Sequence, residues 1–480
     1  MKNTLLTIAS LFIAATAFCQ KADNAYSLSM CSYQGTAKSL AMGNALGAVG
    51  GDMTSICTNP AGMGIYRSNE ITASLGFTNN LSESSYYGNV ESPYQKSGMN
   101  IPNIGLVIAS QKSNYSRVRY TQFGIGLTRT NDFNTLSFAS GINPSSSLID
   151  DFIGQIPDGY DPRYFREDYP NTLYPAWRLY LIDTINGMFG SPVPQGQLNQ
   201  SRKNSKKGRS EEWTFSYSAN FSERVFIGAS FGLTHTKRMT TSIHTEKPLQ
   251  ETASSVSRWN FTENTTTEGW GFNLKIGAII FPASWCRFGI SYHTPTLYSL
   301  DESWKTITDI TFRPNSYDEY TSPVSNYEYE FKSPQKATAS MAFIINQQGI
   351  ISIDIDAINY GRSAFDDENY DYSSLNAEIS KTYGRTYNFR IGTEWQYNYV
   401  YFRGGCAYYG SPYHFGDENC SIKKASCGIG VQASEGVFFD FAYELSHSKA
   451  SYTLYSYEDI QPVEETVNRS GFIATMKLKF

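Results

Sequence analysis

Hydrophobic residues in this chain fall at every second position over long stretches. Trp270, Phe272, Leu274, Ile276, Ala278 and Ile280 form one set, and Gly271, Asn273, Lys275 and Gly277 lie between them. The segment 224–234 repeats the pattern, with Val225, Ile227, Ala229, Phe231 and Leu233 set against Arg224, Gly228, Ser230, Gly232 and Thr234. Ile351, Ile353, Ile355 and Ala357 alternate in the same way with Ser352, Asp354 and Asp356. Successive side chains of a strand point to opposite faces, so each segment reads as a strand with one apolar and one polar side.

The alternation predicts fourteen strands, near 69–79, 101–110, 119–132, 211–220, 224–243, 257–281, 285–310, 325–346, 349–363, 381–397, 399–413, 420–434, 436–456 and 466–480. Tight turns are expected at Ser222-Glu223, Pro282-Ala283-Ser284, Gln347-Gln348, Tyr397-Asn398 and Ser434-Glu435, with a longer one near 111–118. Between them lie long connections, among them 80–100, 134–210 and 364–380. A soluble sandwich also has apolar faces, but nothing in it sorts connections into short and long. Short turns on one side, long loops on the other and an even strand number characterise outer-membrane barrels. Lipid offers the backbone no hydrogen-bond partner, so such a sheet must close. The expected fold class is therefore all-β, a transmembrane antiparallel β-barrel of about 14 strands. Its polar faces, rich in Gly, Ser and Thr, read as a wet lumen. Strands longer than the roughly 9–11 residues that cross a bilayer are expected to rise beyond it on the long-loop side.

The chain's start agrees. Lys2 precedes an apolar run from Leu5 to Ala17, with cleavage expected after Ala15-Thr16-Ala17 or Ala17-Phe18-Cys19, so residues 1–19 read as a signal peptide. Phe18 is bulky where a lipoprotein signal carries a small residue, which argues against a lipid anchor on Cys19. No later run reaches the roughly 20 apolar residues of a membrane helix. The net charge of −5 argues against nucleic acid as a partner. At the other end Phe472, Ala474, Met476, Leu478 and Phe480 alternate with Ile473, Thr475, Lys477 and Lys479. A last strand closing on an aromatic resembles the signal read by outer-membrane barrel assembly machinery, so that machinery and outer-membrane lipid are expected partners.

Candidate chemistry is sparse. Six of the seven cysteines lie beyond residue 20 (Cys31, Cys57, Cys286, Cys406, Cys420 and Cys427), none in a C-x-x-C spacing, which argues against zinc or redox work. Cys406 and Cys427 fall on the apolar side of adjacent strands, nearly opposite one another, and read as lipid-facing residues for which no disulfide is expected. His235, His244, His293, His414 and His447 show no metal-ligand spacing. Ser446, His447 and Ser448 are consecutive in a strand, so nucleophile and base would point to opposite faces. No enzymatic activity, metal or cofactor is expected. Asp354, Asp356, Arg390, Glu394 and Arg403 share the polar side of neighbouring strands. They read as cross-strand pairs that satisfy the lumen, or else as a polar path or a hold on a plug.

Residues 20–68 do not alternate. Gly35, Gly43, Gly47, Gly50, Gly51, Gly62 and Gly64 are spread among Ala and Ser, as in a compact plug. Asp52 is placed to cap one helical turn through Cys57, which Pro60 would end. The run from Gly35 to Ala45 (GTAKSLAMGNA), then Gly50-Gly51-Asp52, then Thr58 to Gly64 (TNPAGMG), resembles the N-terminal hatch of the FadL family. Members of that family are outer-membrane transporters of long-chain fatty acids and aromatic hydrocarbons. The resemblance implies a fourteen-stranded barrel with an N-terminal hatch inside the lumen (20–68), followed by a barrel over 69–480. It also implies passive uptake of hydrophobic small molecules, gated by Asn59, Pro60, Ala61 and Gly62 and completed by sideways exit into the membrane. For Asn59 alone, a capping amide at a helix stop is an equal reading.

The connection 134–210 is long even for such a barrel and reads as an extracellular insert. Leu148, Ile149, Phe152, Ile153 and Ile156 are spaced as on a helix over 147–156, and Trp177, Leu179, Leu181, Ile182 and Ile185 over 175–189. These faces either form a ligand-capture surface, with Phe152, Ile153, Trp177 and Leu181 at its centre, or pack together as a lid, which is the preferred reading. The basic run Arg202, Lys203, Lys206, Lys207 and Arg209 is expected in a solvated loop, with contact to lipid phosphate or a ligand carboxylate as the alternative. A different class of function, a barrel that serves protein secretion or surface attachment, would use the insert as a docking surface.

Overall fold

The computed structural model describes residues 22–113, 115–185, 187–250, 254–414, 420–457 and 460–480. The signal peptide expected at 1–19 lies outside the described residues. Fourteen antiparallel strands close into a ring, with seven further strands outside it. In chain order the ring strands are β1 Glu70–Tyr86, β2 Asn103–Gln111, β3 Val118–Asp132, β4 Leu198–Phe221, β5 Val225–Pro248, β6 Val256–Ala283 and β7 Cys286–His293. They continue with β8 Lys336–Ile345, β9 Gly349–Asn359, β10 Arg385–Tyr397, β11 Val400–Tyr409, β12 Ile422–Ser434, β13 Val437–Tyr452 and β14 Val463–Lys479. The ring closes where β14 pairs with β1, from Glu70↔Lys479 to Ser85↔Glu464.

The alternating residues take the sides their chemistry demands. Trp270, Phe272, Leu274, Ile276 and Ile280 are exposed around the outside, whereas Asn273 and Lys275 are buried in the lumen. Ile353 and Ile355 likewise face out, while Ser352, Asp354 and Asp356 are buried. Ser222 and Glu223 both adopt left-handed backbone conformations (φ 50° and 57°), forming the kind of two-residue turn that joins twisted strands without splaying them.

Several boundaries differ from the sequence reading. The seventh and eighth strands are each interrupted. Thr294-Pro295-Thr296 separates β7 from Leu297–Phe312, and Ser333-Pro334-Gln335 separates Ser325–Lys332 from β8. A proline cannot donate to the ladder, and neighbouring hydroxyls take over. Thr294 Oγ1 accepts from Leu274 N at 3.0 Å, and Ser333 Oγ from Thr296 N at 2.9 Å.

The fourth strand starts at Leu198 rather than 211, so Arg202, Lys203, Lys206, Lys207 and Arg209 sit on a strand and not in a loop. At about 3.3 Å per residue, the 24 residues of β4 far exceed a hydrocarbon core of about 30 Å. Its upper part stands in water, where no alternation is required, and so carried no signal. The first strand likewise runs on to Tyr86, and the connection after it contains a further strand, Tyr94–Asn100, paired with β1.

Cys406 faces Ala425 and Cys427 faces Gly404, so the two cysteines sit two positions apart along their strands, both outward. Among the described residues no disulfide joins any two of the six cysteines beyond residue 20. Titration of the denatured, unreduced polypeptide from residue 20 onward is expected to yield six thiols; a count lower by a pair would mean that a cross-link forms.

Candidate functional site

The N-terminal segment lies within the ring. It comprises α1 Ala22–Ser29, α2 Ala37–Ala41, α3 Ser55–Thr58 and a 3-10 helix, Pro60–Ile65. Lumen-facing side chains bind its backbone from all around. Gln122 Nε2 donates to Tyr66 O at 2.9 Å, Ser230 Oγ to Ile56 O at 2.9 Å and Ser291 Oγ to Thr58 O at 3.0 Å. On the opposite wall Gly47 N donates to Asp354 Oδ2 at 3.0 Å, and Ala37 N to Thr475 Oγ1 at 2.8 Å.

Asn59, Pro60, Ala61 and Gly62 are buried at the foot of this plug. Asn59 Oδ1 accepts from Ala61 N at 3.2 Å, the capping role, while its Nδ2 donates to Gly47 O at 2.7 Å and to Ala278 O of β6 at 3.5 Å. Both readings of Asn59 are thus present in one side chain. Pro60 opens the 3-10 helix instead of merely ending the preceding turn; at a first helical position its missing N–H is no loss. Thr54, not Asp52, occupies the N-cap position of α3. The Asp52 carboxylate accepts from Thr54 N at 3.0 Å and ties Thr36 Oγ1 at 2.8 Å, joining two turns of the plug.

The glycines on the polar sides of the strands do more than line a wet lumen. A Cβ at Gly277 would lie 2.0 Å from Asn59 Oδ1, and one at Gly228, its cross-strand partner, 2.4 Å from the Pro60 carbonyl. On the far side a Cβ at Gly392 would lie 2.3 Å from Met42 O, and one at Gly405, again its cross-strand partner, 2.3 Å from Gly43 N. Plug backbone and wall backbone meet at a distance only glycine permits. Paired lumen-side glycines at one height are visible in the sequence, but only once strand register is known.

The five charged residues on β9 to β11 both pair across strands and hold the plug. Arg390 bonds Asp356 at 2.7 Å and approaches Asp354 at 3.5 Å. Arg403 lies between Glu394 at 2.5 Å and Asp440 at 2.6 Å. From the plug, Lys38 reaches Glu394 at 3.1 Å. Above the hatch residues lies a cavity of ≈ 80 Å³, lined among others by Tyr33, Tyr298, Lys336 and the buried ion pair Glu212–Lys275. Lys336 Nζ sits 4.9 Å above the Tyr33 ring. An engineered apolar cavity of about 150 Å³ holds benzene, so this cavity as it stands is smaller than one known to take an aromatic ring.

The wall is irregular beside the plug. Pro102 divides Tyr94–Asn100 from β2, and β3 bulges between Arg129 and Asn131. At the bulge the β3 carbonyls are taken by the plug: Ser32 N donates to Thr130 O at 2.8 Å and Gln34 N to Arg129 O at 3.1 Å. Among the described residues, Tyr94–Asn100 pairs with β1 and not with β3. Here the plug supplies hydrogen bonds that a neighbouring strand supplies elsewhere.

The residues marked for ligand capture gather above the mouth in one hydrophobic cluster. Phe152 and Leu181 are buried in it, and Ile153 and Trp177 are packed against it half-buried. The first expected helix forms as Leu148–Gly154, with Ser147 and Asp150 completing a capping box. The second is shorter and earlier, Leu173–Arg178. Tyr180 then turns left-handed (φ 57°), and a hairpin of Asp183–Ile185 and Met188–Gly190 replaces the rest.

Among the described residues no group of three or more His, Cys, Asp or Glu is arranged to hold a metal ion. A closed fourteen-strand barrel, apolar outside and occupied by its own N-terminal segment, is the architecture of an outer-membrane β-barrel. Within that class it is the FadL-type fold. The structure superposes on the toluene transporter TodX of Pseudomonas putida with a TM-score of 0.54 at 14% identity, covering 94% of this chain and 99% of that one. It superposes on a Pseudomonas aeruginosa FadL homologue with a TM-score of 0.59 at 12% identity, covering 94% and 99%. For the Ralstonia pickettii toluene transporter TbuX the values are 0.51 and 14%, again covering 94% and 99%. No family model and no curated protein matches the chain by sequence.

An alanine at Gly277 is expected to unseat the hatch while leaving the barrel closed, because overpacking costs about 1–3 kcal/mol. Hydrogen exchange over residues 37–65 should then rise by at least about fivefold; unchanged exchange would show that the close approach carries no weight.

Proposed function

We propose that this protein is an outer-membrane channel for the passive uptake of hydrophobic small molecules, gated by its N-terminal segment over residues 20–68. The observation that carries the reading is the plug's double contact with the wall. It is seated on paired glycines at Asn59-Pro60, and it is bonded to the β3 bulge where a strand partner is missing. Withdrawing Ser32 and Gln34 from that bulge would free the carbonyls of Arg129 and Thr130 and open a path between the lumen and the lipid beside Pro102. A hydrophobic ligand leaving sideways gains about 0.8 kcal/mol per CH₂ transferred to hydrocarbon, which supplies direction without an energy source.

Entry is from the long-loop side, through the cluster that contains Phe152, Ile153, Trp177 and Leu181, which must part to admit a ligand. The mixed lining of the inner cavity, with Tyr33 and Tyr298 beside Lys336, suits an amphiphilic or aromatic ligand better than a plain alkane. That TodX and TbuX are toluene transporters favours aromatic cargo among the two classes considered. Export by a cleaved signal peptide and insertion through the C-terminal strand ending at Phe480 complete the reading; no catalytic step or cofactor enters it.

Liposomes carrying the protein are expected to admit a labelled fatty acid or toluene severalfold faster than empty ones. Pro60→Ala, which loosens the hatch at its seat on Gly228, should change that rate. Equal rates in wild-type, variant and empty liposomes would end the proposal.

A further inference from the structure

Glu246 stands near the long-loop end of β5, wholly buried within the apolar cluster above the barrel mouth. Among the described residues its one ion-pairing partner is His244, at 3.0 Å. A carboxylate withdrawn from water must be compensated by donors, and this one has five. Three belong to the wall: Gln200 Nε2 of β4 at 2.8 Å, Trp259 Nε1 of β6 at 3.0 Å and the His244 Nε2 contact. Two belong to the insert: Ser147 Oγ at 2.5 Å and Leu148 N at 2.8 Å, at the start of the helix Leu148–Gly154. Gln200 and Glu246 are direct cross-strand partners, as are Trp259 and Glu246. The acceptor is therefore built into three neighbouring wall strands, and only the insert's donors can leave it.

We propose that Glu246 is the latch that seats the insert as a lid over the channel mouth, a positioning residue for gating. An apolar cluster alone is non-directional and would let the insert settle in several ways. A buried carboxylate accepts the lid's first turn in one register. The same charge makes the closure releasable: when the lid lifts, water replaces Ser147 and Leu148, so the carboxylate is not left stranded. Tyr455 extends the clasp, since its hydroxyl lies 2.9 Å from Ser146 Oγ and accepts from Asn143 Nδ2 at 3.0 Å and from Gln200 Nε2 at 2.8 Å. Asn143 and Ser146, on either side of Pro144, are thereby tied to Tyr455 and through it to Gln200 of the wall.

The latch concerns the mouth of the channel proposed above and rests on that reading for its purpose, but its geometry is tested separately. Chymotrypsin would be applied to the full protein in detergent, with cleavage after Phe152 and Phe165 followed. Both are buried in the lid cluster. Glu246→Gln places an amide N–H against donors, and Ser147→Ala removes a lid-side donor without touching the barrel. Loss of a hydrogen bond to a charged group corresponds to at least about tenfold in the opening equilibrium. Both variants should be cut about tenfold faster than wild type, with the heat-dependent gel mobility of the folded barrel unchanged. Cleavage within about twofold of wild type in both variants would overturn the latch. Liposome uptake is the second arm: a loosened lid with faster uptake supports latch and channel together, whereas a loosened lid with unchanged uptake keeps the latch and counts against the channel.

Discussion

The organising constraint is that a backbone surrounded by hydrocarbon must find every hydrogen-bond partner within the protein. It forces the fourteen strands to close, which puts β14 on β1 although the two lie at opposite ends of the barrel sequence. It also explains why the prolines at 295 and 334 sit beside Thr294 and Ser333, whose hydroxyls take over donors the ladder has lost. At the β3 bulge the carbonyls of Arg129 and Thr130 are satisfied from inside by the N-terminal segment. Closure of the wall and seating of that segment are thus parts of a single hydrogen-bond requirement.

The lumen meets a second demand, that of holding a plug firmly in place without a large apolar core. Close approach at Gly228 brings the two backbones together and at Gly277 admits the Asn59 side chain, and ion pairs radiating from Arg390 and Arg403 satisfy the polar groups around them. The apolar residues spared from the lumen are concentrated above it. There the insert builds a small core of its own with the strand ends that carry Trp259, Phe261 and Ile310. The chain is packed at two levels by different physics: hydrophobic packing organised around a buried carboxylate at the mouth, and glycine seating with backbone bonding below.

Much of this was legible in the chain as written. Alternation located all fourteen ring strands, and it placed Trp270 to Ile280 and Ile351 to Ile355 on the correct sides, because lipid on one side and lumen on the other enforce a period of two. It failed where that enforcement ends. The upper half of β4, with Lys203 and Arg209, carries polar and basic residues on both faces and showed no pattern, and the hairpin after Tyr180 was hidden in a run of apolar residues at helical spacing. Asn59-Pro60 was recognisable as a motif, but its seat on the opposing glycines was not.

The sequence by itself determined the class of fold, the number of ring strands and the inside and outside of each, since these follow from the environment each residue must face. Only the tertiary structure decided which glycines touch the plug, that Lys38 meets Glu394, that β3 borrows bonds from Ser32 and Gln34, and that Glu246 accepts from Ser147 and Leu148. Those pairings join residues far apart in the chain, and they depend on strand register and barrel curvature, which no local pattern records.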